Sequence, residues 1–540
     1  MQHSYNVERF KETFESEYTY LNGFMRNVFR RGNEPALICP LTNRTWTYKT
    51  LNEEANRLAS SLMARGVTSD DVVMHALLNS AEFVFTYIAT HKIGCVNAPL
   101  NYRLSGGEIA LLIDQSKPKA LIYDAEFEKI ISEALRNVHH RPEIIMADLN
   151  NEMDAPEGIV TYRDFVKDGS PENPVRKDKP SIYDETTRFF TSGTTNLPKA
   201  VPVNDINEVL SAHDVIMHFP LSPKDVTMNL TPWFHRGGLH SGGPCPTLYI
   251  GGTMVILRDF TPRLALQYVS LYHITFLIGA PTVIDMLCRI QETNPRDISS
   301  LHGIVLMGSP LDKEPCKRYM KVLTPNIFNG YGTTETFWNV FLRPYDLPDK
   351  AGYAGGACTD DDVRVVRVDT TKHVSPDELV PMDKETVGEV VIFAPNKSTF
   401  AYYDNPKTTE EKFHNGWLYT GDLATWDEHA YITIIGRKDD MIVSAGENIY
   451  PVQVESILNE HPKVAESLVF GIPDPKRGSV IAALIRPSDP SLTEKEMKQF
   501  CMNHPMLAPY KRPRIFRFVK ELPHNATGKL LHKLPPDFKF

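Results

Sequence analysis

Long apolar runs are scarce in these 540 residues. The most apolar stretch, Val72 to Leu100, is broken by Asn79, Glu82, His91 and Lys92. That pattern excludes a comfortable membrane span and reads instead as buried helix and strand. The opening MQHSYNVERFKETFESEYTY is polar and acidic, without the apolar centre of a secretory leader. No long basic run occurs, and the formal net charge is −9, so a nucleic-acid partner is not expected. Cysteine is sparse: seven residues, scattered from Cys39 to Cys501 without a C-x-x-C pair. Such a set forms neither a disulfide frame nor a zinc site, and points to reduced thiols in a cytoplasmic protein. Internal repeats and low-complexity segments are also lacking.

The composition, 42% apolar and 23% charged, is that of a soluble globular protein, and the length suits about two to four domains or subdomains. In TWTYKTLNEEANRLASSLMARGV, Leu51, Ala55, Leu58 and Leu62 recur at helical spacing, with Gly66 as a stop. Thr50 and Glu53 have capping-box spacing, and Thr47 could equally be the cap. Short apolar runs, Lys119–Asp124, Thr253–Leu257, Ile274–Gly279 and Gly303–Gly308, read as buried strands. Most precede a helix-like segment such as APTVIDMLCRIQ. This alternation predicts an α/β fold with parallel sheets covered by helices, whose ligands lie beyond the carboxyl ends of the strands. After about Val387, GEVVIFA and YITIIG suggest antiparallel strands. A charged cluster, Gly436–Met441, then precedes a short α+β stretch of about a hundred residues, long enough for a separate small domain.

The segment FFTSGTTNLPKAVPV, Phe189 to Val203, has the chemistry of a phosphate-binding loop. Gly193 allows close backbone approach to an anion, Thr191, Ser192, Thr194 and Thr195 supply hydroxyls, and Lys199 supplies a point charge. A polar surface turn has the same composition. It is not a P-loop, because Pro198 stands where the second glycine belongs and Ala200 replaces the magnesium-binding hydroxyl. Further segments follow in order: NGYGTTE (Asn329–Glu335), Trp417–Arg437 with Asp422 and Arg437, Lys438–Glu455, GIPDPKRG (Gly471–Gly478) and PHNATGK (Pro523–Lys529).

Together and in this order, these segments resemble the adenylate-forming superfamily of acyl-CoA synthetases, peptide-synthetase adenylation domains and luciferases, over nearly the whole chain. The resemblance implies a large N-terminal domain of βαβ-type sheets plus a distorted β-barrel (residues 1–436), a hinge (437–439) centred on Asp439, and a small mobile α+β C-terminal domain (440–540). It implies AMP-forming ligation: a carboxylate attacks the α-phosphate of ATP, pyrophosphate leaves, and a thiol then takes the acyl group. ATP/AMP, Mg²⁺ and coenzyme A are the implied cofactors. By the same resemblance, Thr191–Lys199 cradle the β- and γ-phosphates, Thr334 bonds a phosphate, and Glu335 holds Mg²⁺. Tyr331 stacks on adenine in a pocket shared with Gly308, Ser309, Pro310, Asn329, Gly330, Gly332 and Thr333. Asp422 accepts the ribose hydroxyls with help from Arg437. Lys529 bridges carboxylate and α-phosphate in the first step only. Ser444, Ala445, Gly446 and Glu447 line the thiol tunnel, with Arg477 near coenzyme A. Lys511, Arg512 and Arg514 form a basic cluster that suits either the coenzyme A phosphates or a solvated charged turn.

Several positions depart from the family pattern. Asn196, Ala200, Ala430 and Ala445 stand where glycines are usual, and Arg477 where some relatives carry an aromatic. PWFHRGGLH lacks the aspartate with which peptide-synthetase domains hold an amino group, offering His235 and Arg236 instead, and an unpaired buried ammonium is unfavourable. Arg236 is expected in a surface ion pair, with a second substrate carboxylate or a substrate hydroxyl as the alternative partner. Only eleven residues follow Lys529, so free coenzyme A is expected rather than a fused carrier. A stand-alone enzyme loading a carrier protein and a luciferase-like enzyme are the alternatives. Trp233, Phe234, His235, Gly237, Gly238, Met307, Gly332, Phe337 and Trp338 are the expected acyl-pocket walls, with His235 also a catalytic candidate. Gly332, where acetate-specific relatives carry a bulky aromatic, is expected to leave room for a medium-chain, aromatic or alicyclic acid. A homodimer is possible.

Overall fold

The computed structural model describes residues 5–150, 152–191, 198–369, 372–444, 447–474, 478–505, 507–524 and 530–531. The apolar runs become buried parallel strands, as the alternation predicts. A seven-stranded sheet runs, across its width, through Val160–Thr161, Glu143–Ala147, Ala120–Asp124, Val72–Ala76, Val96–Pro99, Glu185–Thr191 and Lys199–Asn204. All of its neighbours are parallel except the final hairpin. A nine-stranded sheet has a parallel centre, from Ile327–Thr333 through Gly303–Met307, Phe276–Gly279, Val226–Asn229 and Thr253–Val255 to Pro35–Cys39. Its edges are closed by antiparallel strands.

One core cluster joins the two sheets: Val73 and Ile122 of the first meet Leu37 and Met254 of the second. The helix Ala81–Ile93 belongs to this core and is buried at every position, which explains why its sequence lacks a polar face. The helix Tyr48–Ala64 buries Leu51, Ala55, Leu58 and Leu62 completely. Its cap is Thr47, whose hydroxyl accepts from the Thr50 amide at 3.2 Å, so the box closes on Thr50 and not on Glu53.

The antiparallel texture after Val387 is a five-stranded sheet, the distorted barrel of the sequence reading, with Gly388–Phe393 and Ile432–Arg437 flanking Trp417–Trp426. Beyond it, Val464–Asp474, Gly478–Pro487 and Ile515–Phe518 form a three-stranded sheet with the helices Pro451–Leu458 and Glu494–Asn503. Val454, Leu458, Val469, Ile481, Met497 and Phe516 give this segment a core of its own.

The candidate site is carried, in chain order, by β1 (Glu185–Thr191), β2 (Lys199–Asn204), α1 (Asp205–His218), α2 (Arg236–His240), β3 (Gly303–Met307), β4 (Ile327–Thr333), β5 (Phe337–Leu342), β6 (Trp417–Trp426) and β7 (Ile432–Arg437).

Candidate active site

The hydroxyl-rich loop joins β1 to β2, and Thr191 faces Lys199 across that antiparallel pair. The two ends of the loop are thereby held one strand spacing apart. Lys199 Nζ lies 5.4 Å from the centre of the Tyr402 ring. Ser192, Gly193, Thr194 and Thr195 lie outside the described residues, as do Ala445, Gly446, Arg477 and Lys529.

Asn329–Glu335 leaves the parallel sheet along β4 and turns at Thr334–Thr336 into β5. Glu335, half-buried on that turn, accepts a hydrogen bond from the Tyr402 hydroxyl at 2.5 Å. Burial and this neighbouring carboxylate raise the Tyr402 phenol above its ordinary value, so it stays a donor. Thr333 and Thr336 share a hydroxyl contact of 3.0 Å across the turn.

Asp422 brings the nucleotide candidates together. It sits on β6 opposite Arg437 of β7 and accepts from Arg437 Nη1 at 2.7 Å. Its other oxygen accepts from the Tyr331 hydroxyl at 2.6 Å, across 91 positions of sequence. Each carboxylate oxygen keeps lone-pair capacity beyond its one protein partner. Burial, then the nearby Asp422 charge, pushes the Tyr331 phenol well above its ordinary value. Gly308, at the carboxyl end of β3, has φ +87°, and a Cβ there would meet nothing within 4 Å. The strand end is therefore open where a planar ring could approach, with Ser309 and Pro310 following at the surface. Asn329, by contrast, is buried, and its Oδ1 has no partner.

The expected acyl-pocket residues divide. Trp233 has no exposed surface and packs edge-on against Phe83, so it is core and not wall. A Cβ at Gly238 would meet the Pro232 carbonyl oxygen at 2.0 Å: this glycine serves backbone packing. Gly332 is corrected in the same way. Although exposed, its side-chain direction points at the Phe337 carbonyl oxygen, 1.6 Å from an added Cβ, and not into open space. Met307 faces Gly237, Phe337 stacks on Trp338 at 4.9 Å, and Phe234 lies 4.1 Å from the His235 ring. His235 Nε2 is sealed without a partner; burial, then Arg103, lowers its pKa to about 4 and leaves the ring neutral near pH 7.

Arg236 is not at the surface. It is 2% exposed and donates to the carbonyls of Thr334 and Lys397, each at 2.7 Å. Burial lowers its pKa to about 10, leaving it cationic. Within the expected hinge, Arg437 of β7 pairs with Asp422 of β6, the Lys438 amide donates to the Gly421 carbonyl, and Lys438 Nζ reaches Glu389 at 2.8 Å. Ser444 donates to the Ser479 carbonyl at 2.6 Å. Lys511 Nζ donates to Gln453 at 3.3 Å and Arg512 Nε to the Leu507 carbonyl at 3.0 Å, leaving Arg514 the exposed member of that cluster. Tyr402, Lys397 and the Glu208–His240 pair were missed in the sequence. Only the twin tyrosines of AYYDNP could have drawn attention, and they do not say which one faces Glu335.

A model of the AMP-binding enzyme family matches residues 24–403, and one of the AMP-binding enzyme C-terminal domain matches residues 453–529. The chain belongs to the AMP-binding enzyme family. The ligase is 30% identical over 487 residues to a feruloyl-CoA synthase of Amycolatopsis sp, covering 90% of this chain and 92% of the relative. It is 29% identical over 520 residues to a 4-chlorobenzoate–CoA ligase of Arthrobacter sp, covering 93% and 92%. The structure of an anthranilate CoA ligase in complex with anthranoyl-AMP superimposes with a TM-score of 0.84 at 25% identity, covering 95% of this chain and 96% of that one. The enzyme is an AMP-forming acid–thiol ligase, a reaction class that consumes ATP and coenzyme A and works on the magnesium–nucleotide. Among the described residues, no helix is long and apolar enough to cross a membrane.

Proposed function

We propose that the ligase joins an aromatic carboxylic acid to coenzyme A through an acyl-adenylate built at Tyr331, Asp422, Arg437, Thr334 and Glu335. The observation that carries this reading is Asp422, bonded at once to Tyr331 and Arg437 beside the open end of β3. Its spare acceptor capacity suits two ribose hydroxyls, while the Tyr331 ring and Gly308 suit adenine. Glu335 offers a hard carboxylate oxygen of the kind Mg²⁺ prefers, and the metal would neutralise charge on the phosphates. Lys199 and Thr191 close the mouth of the phosphate loop.

In the first step, a carboxylate oxygen of the acid attacks the α-phosphorus, the bond to the bridging oxygen breaks, and pyrophosphate leaves. Lys529 steadies both anions, and Lys199 and Thr334 hold the phosphates in line. The C-terminal segment then turns about Asp439 and brings Gly446 and Glu447 towards the thiol path. The thiol sulfur attacks the acyl carbon, the bond to the adenylate oxygen breaks, AMP leaves and the thiol proton passes to solvent. Phe234, neutral His235, Gly237, Met307, Phe337 and Trp338 supply an aromatic, apolar surround for the acid. The aromatic acids in the names of the three relatives favour the same class.

All seven cysteines are buried free thiols, which suits the reducing cytoplasm. Stacked Phe10 and Phe14 are exposed on the N-terminal helix Val7–Glu17 and offer an apolar face for a homodimer, measurable by sedimentation. The substrate reading is tested by kcat/KM for coenzyme A thioester formation from ferulate, 4-chlorobenzoate, indoleacetate and octanoate. At least one aromatic acid should exceed octanoate by about tenfold or more. Preference for octanoate would replace the aromatic class with an aliphatic one.

A further inference from the structure

Two buried cations outside the proposed nucleotide-binding set converge on the turn carrying Thr334 and Glu335. Arg236, on α2, donates Nη1 to the Thr334 carbonyl and Nη2 to the Lys397 carbonyl, both at 2.7 Å. Lys397 is 0% exposed and donates Nζ to the Trp338 carbonyl, at the far side of the same turn. Its Nζ also meets Asp361 at 2.7 Å and Asp214 of α1 at 3.0 Å. The two cations thus grip the turn on both sides and are joined to each other through the Lys397 carbonyl. Asn339 adds a third tie, donating to Asp361 at 2.8 Å and to the Thr336 carbonyl at 3.1 Å.

The turn needs holding. Phe337 lies at φ +58°, a left-handed conformation that a bulky side chain avoids and that a hairpin of this length usually gives to glycine. Around the cations, Glu208 accepts from His240 at 2.5 Å, and His240 Nδ1 faces Arg236 Nε at 3.3 Å. Backbone carbonyls can be satisfied by neutral donors. Two desolvated charges, of which only Lys397 is paired with carboxylates, are a demanding way to do it. What the charges add is direction: strong, fixed hydrogen bonds at both ends of a strained turn.

We infer that Arg236 and Lys397 are positioning residues that preset this turn, so that Thr334 and the Glu335 carboxylate are in place before the magnesium–nucleotide arrives. The inference rests on the proposed metal role of Glu335. Its test uses the full-length enzyme and two readouts: amide hydrogen exchange of residues 333–339 without ligand, and calorimetric affinity for magnesium–ATP. Arg236→Lys keeps the charge but loses the fork. The pair Lys397→Met with Asp361→Asn removes one charge of each sign and leaves Asp214 with His218 at 3.3 Å as its remaining partner. Glu335→Gln is measured in parallel.

Both network variants should speed exchange in residues 333–339 by about tenfold, with β3 unchanged, and weaken magnesium–ATP binding by about fivefold or more. Glu335→Gln should weaken binding without changing exchange. Unchanged exchange in the turn of Arg236→Lys would overturn the inference. So would exchange that rises equally across β3 and the turn, because that is the signature of general destabilisation. Normal magnesium–ATP binding by Glu335→Gln would remove the metal assignment by itself, while the exchange data would still decide whether the cations hold the turn.

Discussion

Gly332→Ala puts one methyl where the sequence suggests pocket space and the fold shows backbone. The new Cβ would stand 1.6 Å from the Phe337 carbonyl oxygen, 2.6 Å from its carbonyl carbon and 2.8 Å from the Trp338 Cα. Side-chain carbons essentially never approach heavy atoms within 3.0 Å, so β4 and β5 must separate by more than an ångström at this register. No flexible side chain can absorb the displacement, because every atom met is main chain. Overpacking of well-packed sites typically destabilises by 1–3 kcal/mol, and a rigid contact falls at the upper end, about 3 kcal/mol. The displaced carbonyl belongs to the residue already at φ +58°, next to the turn that carries Glu335. The variant should therefore lose stability in urea unfolding followed by the fluorescence of buried Trp233 and Trp338, and should lose adenylation for every acid tested. A stable Gly332→Ala enzyme whose preference shifts to shorter acids would refute this reasoning and restore Gly332 to the acyl pocket.

Asp422→Asn should raise KM for ATP in pyrophosphate exchange by about tenfold to a hundredfold, the loss of one or two charge-assisted hydrogen bonds, while kcat changes little. An unchanged KM would detach Asp422 from the ribose. Ala430, at φ +60°, holds a left-handed conformation that glycine adopts freely, and Ala430→Gly should stabilise by roughly 0.5–1 kcal/mol once the greater freedom of the unfolded glycine is subtracted; a lower urea midpoint would contradict it. His235 has a folded pKa of about 4, below its unfolded value, so between pH 6.5 and 4 the unfolded chain binds the extra proton and stability falls as pH falls. From pH 7 to pH 5 this contributes about 2 kcal/mol of lost stability that His235→Gln should not show, and parallel stability–pH curves for the two proteins would disprove it.

The parts of the site legible in the sequence are those made by short contiguous segments whose backbone does the chemistry. The segment Asn329–Glu335 is of this kind, since glycine, hydroxyl and carboxylate spacing within a few residues survives folding, while the interior of the hydroxyl-rich loop after β1 lies outside the described residues. The α/β alternation was legible because buried parallel strands are apolar on both faces. The meeting of Asp422 with Tyr331 spans 91 positions and was reached only through family resemblance. The buried charges were not legible. Lys397 sits in APNKSTF, which reads as a solvated turn, and its carboxylate partners lie 36 and 183 positions away. Arg236 reads as a surface cation for the same reason: sequence shows the charge but not the carbonyls that accept from it. The directions of Gly238 and Gly332 depend on backbone torsion and strand register, which no composition encodes. Their Cβ vectors end on main chain, while that of Gly308 ends in open space.

The central claim is that the acid is activated by forming a bond to the α-phosphate. Supplying the acid with ¹⁸O in its carboxylate, with ATP, Mg²⁺ and coenzyme A, and weighing the nucleotide released, tests this directly. Attack on the α-phosphorus followed by thiol attack on the acyl carbon leaves one carboxylate oxygen on the nucleotide, so AMP should carry a single ¹⁸O while pyrophosphate carries none. Unlabelled AMP, or label in phosphate released beside ADP, would contradict the acyl-adenylate and the roles given to Asp422, Glu335 and Lys529 with it.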